Sequence, residues 1–162
     1  MYLFFHEITH LISSLIAGYL VWKIYKKPIP AFLAGLLGGF FIDLDHLIDY
    51  FLTFGFNFNL NYFLQSYQFA VSQKIYVFFH AWEWIILLLI YYSYLKNKQP
   101  QHNNSKLSIL SFILALALGM IAHLIIDTIS NSVVPMAYSI IYRALNDFSS
   151  AKISLEYFMR LR

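Results

Sequence analysis

The 162-residue chain contains no cysteine. That excludes a disulfide framework, thiolate metal ligands and a cysteine nucleophile together. Charge is also scarce: 12% of residues are Asp, Glu, Lys or Arg, about half the share of an ordinary soluble domain. The eleven Lys and Arg against eight acids give a net charge of +3, and the basic residues gather at the ends of apolar runs rather than forming a stripe. Nucleic acid is therefore not an expected partner. Against these absences stand a hydrophobic fraction of 60% and a mean hydropathy of +0.61, the composition of an integral membrane protein.

Crossing a bilayer as a helix takes about twenty apolar residues. Four segments approach or meet that length, at 8–25, 31–52, 75–95 and 107–130. The expected fold is all-α: an integral membrane helical bundle of about four transmembrane helices, with a short C-terminal re-entrant or interfacial helix in "VVPMAYSIIYRAL". We divide the single domain into a transmembrane metal-site bundle at 1–132 and a C-terminal segment at 133–162, whose last residues mix apolar and basic side chains as a surface-lying amphipathic helix would. The first apolar run carries its lysines after it, which marks it as a retained span rather than a signal peptide. "KKPIP" marks a tight turn. Ala31, Gly35 and Gly39 recur at four-residue intervals, a small-residue face that lets another helix approach closely.

Lysines give the orientation, because short cytoplasmic loops carry the excess of basic residues. Lys23, Lys26 and Lys27 flank the first link, and Lys96, Lys98 and Lys106 the third, whereas the link between the second and third segments ends in Lys74 alone. The lysine-rich side is cytoplasmic and the N-terminus faces out. Between the second and third segments, "FNFNLNYFLQSYQF" alternates apolar with polar residues and suits a membrane interface or a lid.

Five of the eight acids fall inside the proposed spans, as do His10, His46, His80 and His123. A charged side chain at the bilayer centre costs about 2.5–3.5 kcal/mol on insertion scales, so five uncompensated carboxylates approach the whole stability of a domain. Helices alternate in direction, yet these residues do not alternate sides. His10 lies near the start of the first span, Asp43, Asp45 and Asp49 near the end of the second, His80 and Glu83 near the start of the third, and His123 and Asp127 near the end of the fourth. All are at the outer end.

Asp43 with His46, Asp45 with Asp49, His80 with Glu83 and His123 with Asp127 share helix faces by their spacing of three or four. Asp43 and Asp45 stand about 200° apart on a regular helix, so either one points away or the helix breaks there. Imidazole and carboxylate are the ligands of zinc and related divalent ions when thiolate is absent, and the number of donors admits two ions. Any one of these histidines alone is more often a packing residue, and an acid pair can serve an ion path. His6 and Glu7 precede the apolar run and are compatible with either water or the site. Trp82 and Trp84 read as interfacial anchors, His102 as a solvated loop residue, and Asp147 and Glu156 as surface charge.

"THLISSLIAGYL" with His10, "IDLDH" with Asp43, Asp45 and His46, and "HLIID" with His123 and Asp127 resemble, in order and spacing, the membrane-bound metal-dependent hydrolases of the LexA-regulated, YdjM-like type. The resemblance covers about residues 6 to 130. Two positions depart from that family's pattern: Ile42 stands where proline is usual, and "HAWEW" replaces a His-Arg-Gly-x-Thr-His segment, keeping His80 and offering Glu83. A more distant similarity to zinc-dependent phospholipase C implies phosphoester chemistry.

The resemblance and the ligand chemistry together give the expected site. His10, Asp45, His80, His123 and Asp127 are expected as metal ligands, His46 and Asp49 as ligands or as groups that orient them, and Asp43 or Glu83 as proton acceptor. The expected cofactor is a divalent metal, zinc first, with manganese or iron as alternatives and one or two ions. The expected activity is hydrolysis of a phosphoester or lipid-like substrate by metal-activated water, in a prokaryotic cytoplasmic membrane with the site near the outer leaflet. A metal-ion or proton-coupled transporter and a non-catalytic protein with a structural metal are the alternatives.

Overall fold

A computed structural model describes residues 2–98, 104–131 and 133–153. Among them the chain is helical, without a strand, apart from a single antiparallel bridge between Lys74 and Ser149. It divides into two compact units, one built from Met1–Ile42 and Trp82–Asp127, the other from Asp43–Ala81 and Thr128–Arg162.

The first unit contains α1 (Tyr2–Tyr25), α2 (Pro28–Gly39), α6 (Trp82–Lys98) and most of α7 (Asn104–Ser130). Helix α1 ends where Lys26 takes a left-handed φ of 56° and its N–H closes on the Trp22 carbonyl. Pro28 and Pro30 then open α2, where the first turn has no use for a proline N–H. The distribution along α1 is inside out relative to a soluble helix. Ile12, Ile16, Leu20 and Ile24 are all at least half exposed, while His10, Ser14, Ala17 and Val21, on the opposite face, are buried. Large aliphatics facing outward and small or polar residues facing inward suit a helix whose solvent is lipid.

The small residues set how closely α1, α2 and α7 approach. A Cβ on Gly35 would lie 2.7 Å from the Ser14 carbonyl oxygen, and one on Gly119 would lie 2.6 Å from the Gly35 carbonyl oxygen. Both distances are shorter than real contacts, so the small-residue face read from the sequence is an actual helix crossing. Val21, Ala31, Ala34 and Ala115 form the buried cluster beside it.

Helices α1 and α7 are long and apolar enough to cross a membrane, and Pro28–Gly39 with Phe41–Phe54 makes a third candidate if the bent pair counts as one span. The segment expected to cross at 75–95 becomes helical only at Trp82, because the backbone of 75–81 is engaged by side chains. Helix α6 is 17 residues long, about 25 Å at 1.5 Å per residue.

In the second unit the chain tightens into a 3₁₀ turn over Phe41–Asp45, then continues as α3 (His46–Phe54), α4 (Leu60–Leu64) and α5 (Tyr67–Ser72). The 3₁₀ turn is the helix break that stood as one of the two alternatives for the Asp43 and Asp45 spacing. "VVPMAYSIIYRAL" forms a 3₁₀ turn at Pro135–Tyr138 and α8 (Ile140–Leu145), followed by α9 (Ser150–Ile153). Asp147 is exposed and pairs with Lys152 at 2.8 Å, and this ammonium holds its carboxyl below the usual range. The expected C-terminal amphipathic helix beyond Ile153, with Glu156, and the loop residue His102 lie outside the described residues.

Candidate metal centre

Within the first unit, α1 and α7 bring four side chains together. His10, His123 and Asp127 are buried and His6 is half-buried. His10 Nε2 lies 3.2 Å from Asp127 Oδ1 and 2.9 Å from His6 Nε2, and His6 Nε2 lies 3.3 Å from the same Asp127 oxygen. His123 Nε2 is 3.3 Å from Asp127 Oδ2, and its ring stacks on that of His10 with centroids 3.9 Å apart. An i, i+4 pair on each helix does this, His6 with His10 and His123 with Asp127. The sequence reading left His6 open. Its four-residue spacing from His10 was the available signal.

These distances bear on whether an ion fits. Ligand atoms about 2.0–2.1 Å from a tetrahedral zinc stand roughly 3.3–3.4 Å from one another, close to the 2.9, 3.2 and 3.3 Å edges of the His6, His10 and Asp127 triangle. The tautomer of His123 agrees. Its Nδ1 lies 3.0 Å from the Gly39 carbonyl oxygen. A carbonyl only accepts, so Nδ1 carries a proton, and the neutral ring then has its lone pair on Nε2, as a metal ligand needs. Gly39 can supply that carbonyl because it has no side chain. A Cβ there would collide with the Ser14 hydroxyl.

The second unit holds its own set. Asp43 Oδ1 lies 3.4 Å from His46 Nε2 and 3.2 Å from His80 Nε2, and the three residues offer ligand atoms within 4.8 Å of one another. His80 is buried, with Nδ1 3.0 Å from Asp45 Oδ1. His80 thus has a carboxylate oxygen beside each ring nitrogen, Asp45 beside Nδ1 and Asp43 beside Nε2. Asp45 stands behind the imidazole, where the carboxylate partner of a metal-ligating histidine is usually found.

Asp49 has another occupation. Its Oδ1 accepts from the Tyr76 N–H at 2.7 Å and its Oδ2 from the Val77 N–H at 2.9 Å, while Asp45 Oδ2 accepts from the Phe79 N–H at 2.7 Å. Two acids from the "IDLDHLID" stretch therefore bind backbone amides of the loop that carries His80. Glu83 is half-buried in the first turn of α6 and joins none of the possible three-residue metal groups among the described residues.

No family model, curated protein or solved structure matches this chain. The chemistry of the two side-chain sets is thus the basis for reading them. Each unit joins two imidazoles and a carboxylate around one point, and each contains a histidine with an oxygen beside both ring nitrogens, Gly39 and Asp127 for His123 and Asp45 and Asp43 for His80.

Proposed function

We propose that the protein is a membrane-embedded, metal-dependent hydrolase acting on a phosphoester or lipid-like substrate, with one divalent ion per triad and zinc as the first candidate. The observation that carries this reading is the pair of triads, His6, His10 and Asp127 in one unit and Asp43, His46 and His80 in the other, each offering three ligand atoms within 4.8 Å of one another. His6, His10 and Asp127, with His123, hold one ion, and Asp43, His46 and His80 hold the other.

A bound divalent ion lowers the pKa of water to about 7 and so supplies a nucleophile at neutral pH. The chain's own residues supply the rest. The Gly39 carbonyl keeps a proton on His123 Nδ1, and Asp45 stands beside Nδ1 of His80. Asp43 belongs with the ligands by its position, which leaves Glu83 as the acceptor for the proton released in the reaction. The resemblance to metal-dependent membrane hydrolases supports the same class, and the lysine bias supports a cytoplasmic membrane with the site toward the outer leaflet. The exposed stripe of Ile86, Leu87, Ile90 and Tyr94 on α6 supports counting it as a span beside α1, α7 and the bent pair, four in all.

The test is turnover of a phosphatidate or phospholipid phosphoester by protein purified in mild detergent, with His80→Ala, Asp127→Ala and Glu83→Gln alongside. Losses of at least about 100-fold, with helical content retained, are expected of the two ligand variants. Ion flux in vesicles without any hydrolysis would identify a transporter. Metal loss that lowers only the melting temperature would identify a structural ion.

A further inference from the structure

The loop from Gln73 to Ala81 carries His80 but has almost no regular structure. Its conformation is set from outside. Asp49 and Asp45 take three of its N–H groups, and the Ile75 N–H closes on the Phe148 carbonyl at 2.9 Å. Two of its carbonyls go to one side chain. Arg143, on α8, is fully buried, and its Nη1 donates to the His80 carbonyl at 2.9 Å and to the Ala137 carbonyl at 2.8 Å. Its Nη2 donates to the Val77 carbonyl at 3.1 Å.

Val77 explains why so much fixation is needed. Its φ is +30°, a conformation that a β-branched residue adopts only when its surroundings impose it. Asp49 holds its N–H, Arg143 its carbonyl, and the His80 N–H closes on that same carbonyl at 3.1 Å. A buried guanidinium that donates to three backbone carbonyls is an unusual use of arginine. It is suited to it, because the planar fork reaches several acceptors in fixed directions, which an ammonium does not.

We propose that Arg143 is a positioning residue for the Asp43, His46 and His80 metal triad: it locks the Val77 to His80 backbone so that the His80 imidazole meets Asp43 and His46. This rests on the metal reading above. It also gives the C-terminal segment a role in the site, since α8 then serves to deliver one guanidinium to the loop.

The experiment is a cobalt(II) titration of the full-length protein in detergent, following the ligand-field absorption, with wild type, Arg143→Lys, Arg143→Met and Asp127→Ala compared. Wild type is expected to take two ions. Arg143→Met is expected to bind one of them at least about 10-fold more weakly, with the other unchanged and with helical circular dichroism retained. Arg143→Lys is expected to recover part of the loss, and Asp127→Ala to weaken the opposite ion. If Arg143→Met does not fold, Arg143→Lys decides: weakened binding of one ion in a folded protein supports the role. Wild-type affinity for both ions in a folded Arg143 variant overturns it while leaving the metal reading intact. Equal weakening of both ions also overturns it, because the effect is then not specific to the His80 triad. A wild type that takes up no cobalt overturns the metal reading and this inference together.

Discussion

Asp49 and Asp127 are both buried carboxylates in apolar helical stretches, yet their surroundings give them different work. Asp49 spends its two oxygens on the Tyr76 and Val77 amides, whereas Asp127 meets the imidazoles of His6, His10 and His123. Their variants should therefore separate. Asp49→Ala leaves two amides without their acceptor, at about 1–3 kcal/mol each, and is expected to lower thermal stability measured by circular dichroism while the first unit's ion stays bound. Asp49→Asn keeps one acceptor and should lose roughly half as much. Asp127→Ala, by contrast, is expected to release one ion per chain by elemental analysis.

Sequence alone made these aspartates look alike. Residue type and spacing exposed the acids as candidates, and the pairs His123 with Asp127 and Asp43 with His46 do meet as their spacing implied. What spacing could not reveal is which oxygen finds an amide instead of an imidazole, since for Asp49 that depends on a loop well separated from it along the chain.

At the scale of elements, the helix crossings govern the first unit. Gly119 sits where α7 touches α2, one turn before His123, and an added methyl would press on the Gly35 carbonyl. Gly119→Ala is expected to destabilise the protein by about 1–3 kcal/mol and, by parting the helices, to weaken the bond from His123 to Gly39 and with it the ion. Gly55→Ala is the control. Its Cβ would meet open space, and only the backbone, at φ 63° and ψ −156° in a region that essentially glycine alone adopts, opposes it, so a cost of about 1–3 kcal/mol with metal content unchanged is expected. The repeated small residues made the crossing legible in advance. The late start of α6 was not, because hydropathy counts apolar side chains and is blind to carboxylates and a guanidinium competing for the backbone of 75–81. The role of "VVPMAYSIIYRAL" was equally hidden, since a lone Arg143 in an apolar stretch announces charge but not its acceptors.

For the molecule as a whole, the absence of cysteine becomes an experimental advantage, because one introduced thiol is labelled uniquely. Lys26→Cys and Asn97→Cys are expected to react with an impermeant maleimide only from the cytoplasmic side of oriented vesicles, and Asn57→Cys only from the opposite side. Labelling of all three from one side would contradict the orientation read from the lysines. The apolar outward face of α1, with Ile12, Ile16, Leu20 and Ile24, also accounts for the composition, and it is the face expected of a helix long and apolar enough to cross a membrane.

The most direct measurement is the metal content of gently purified wild-type protein, determined by elemental analysis together with its phosphoesterase turnover before and after chelation. Close to two divalent ions per chain, with turnover that falls on chelation and returns when the ion is restored, are expected from the two triads. A scrupulously metal-free preparation that keeps its fold and its turnover would contradict the assignment.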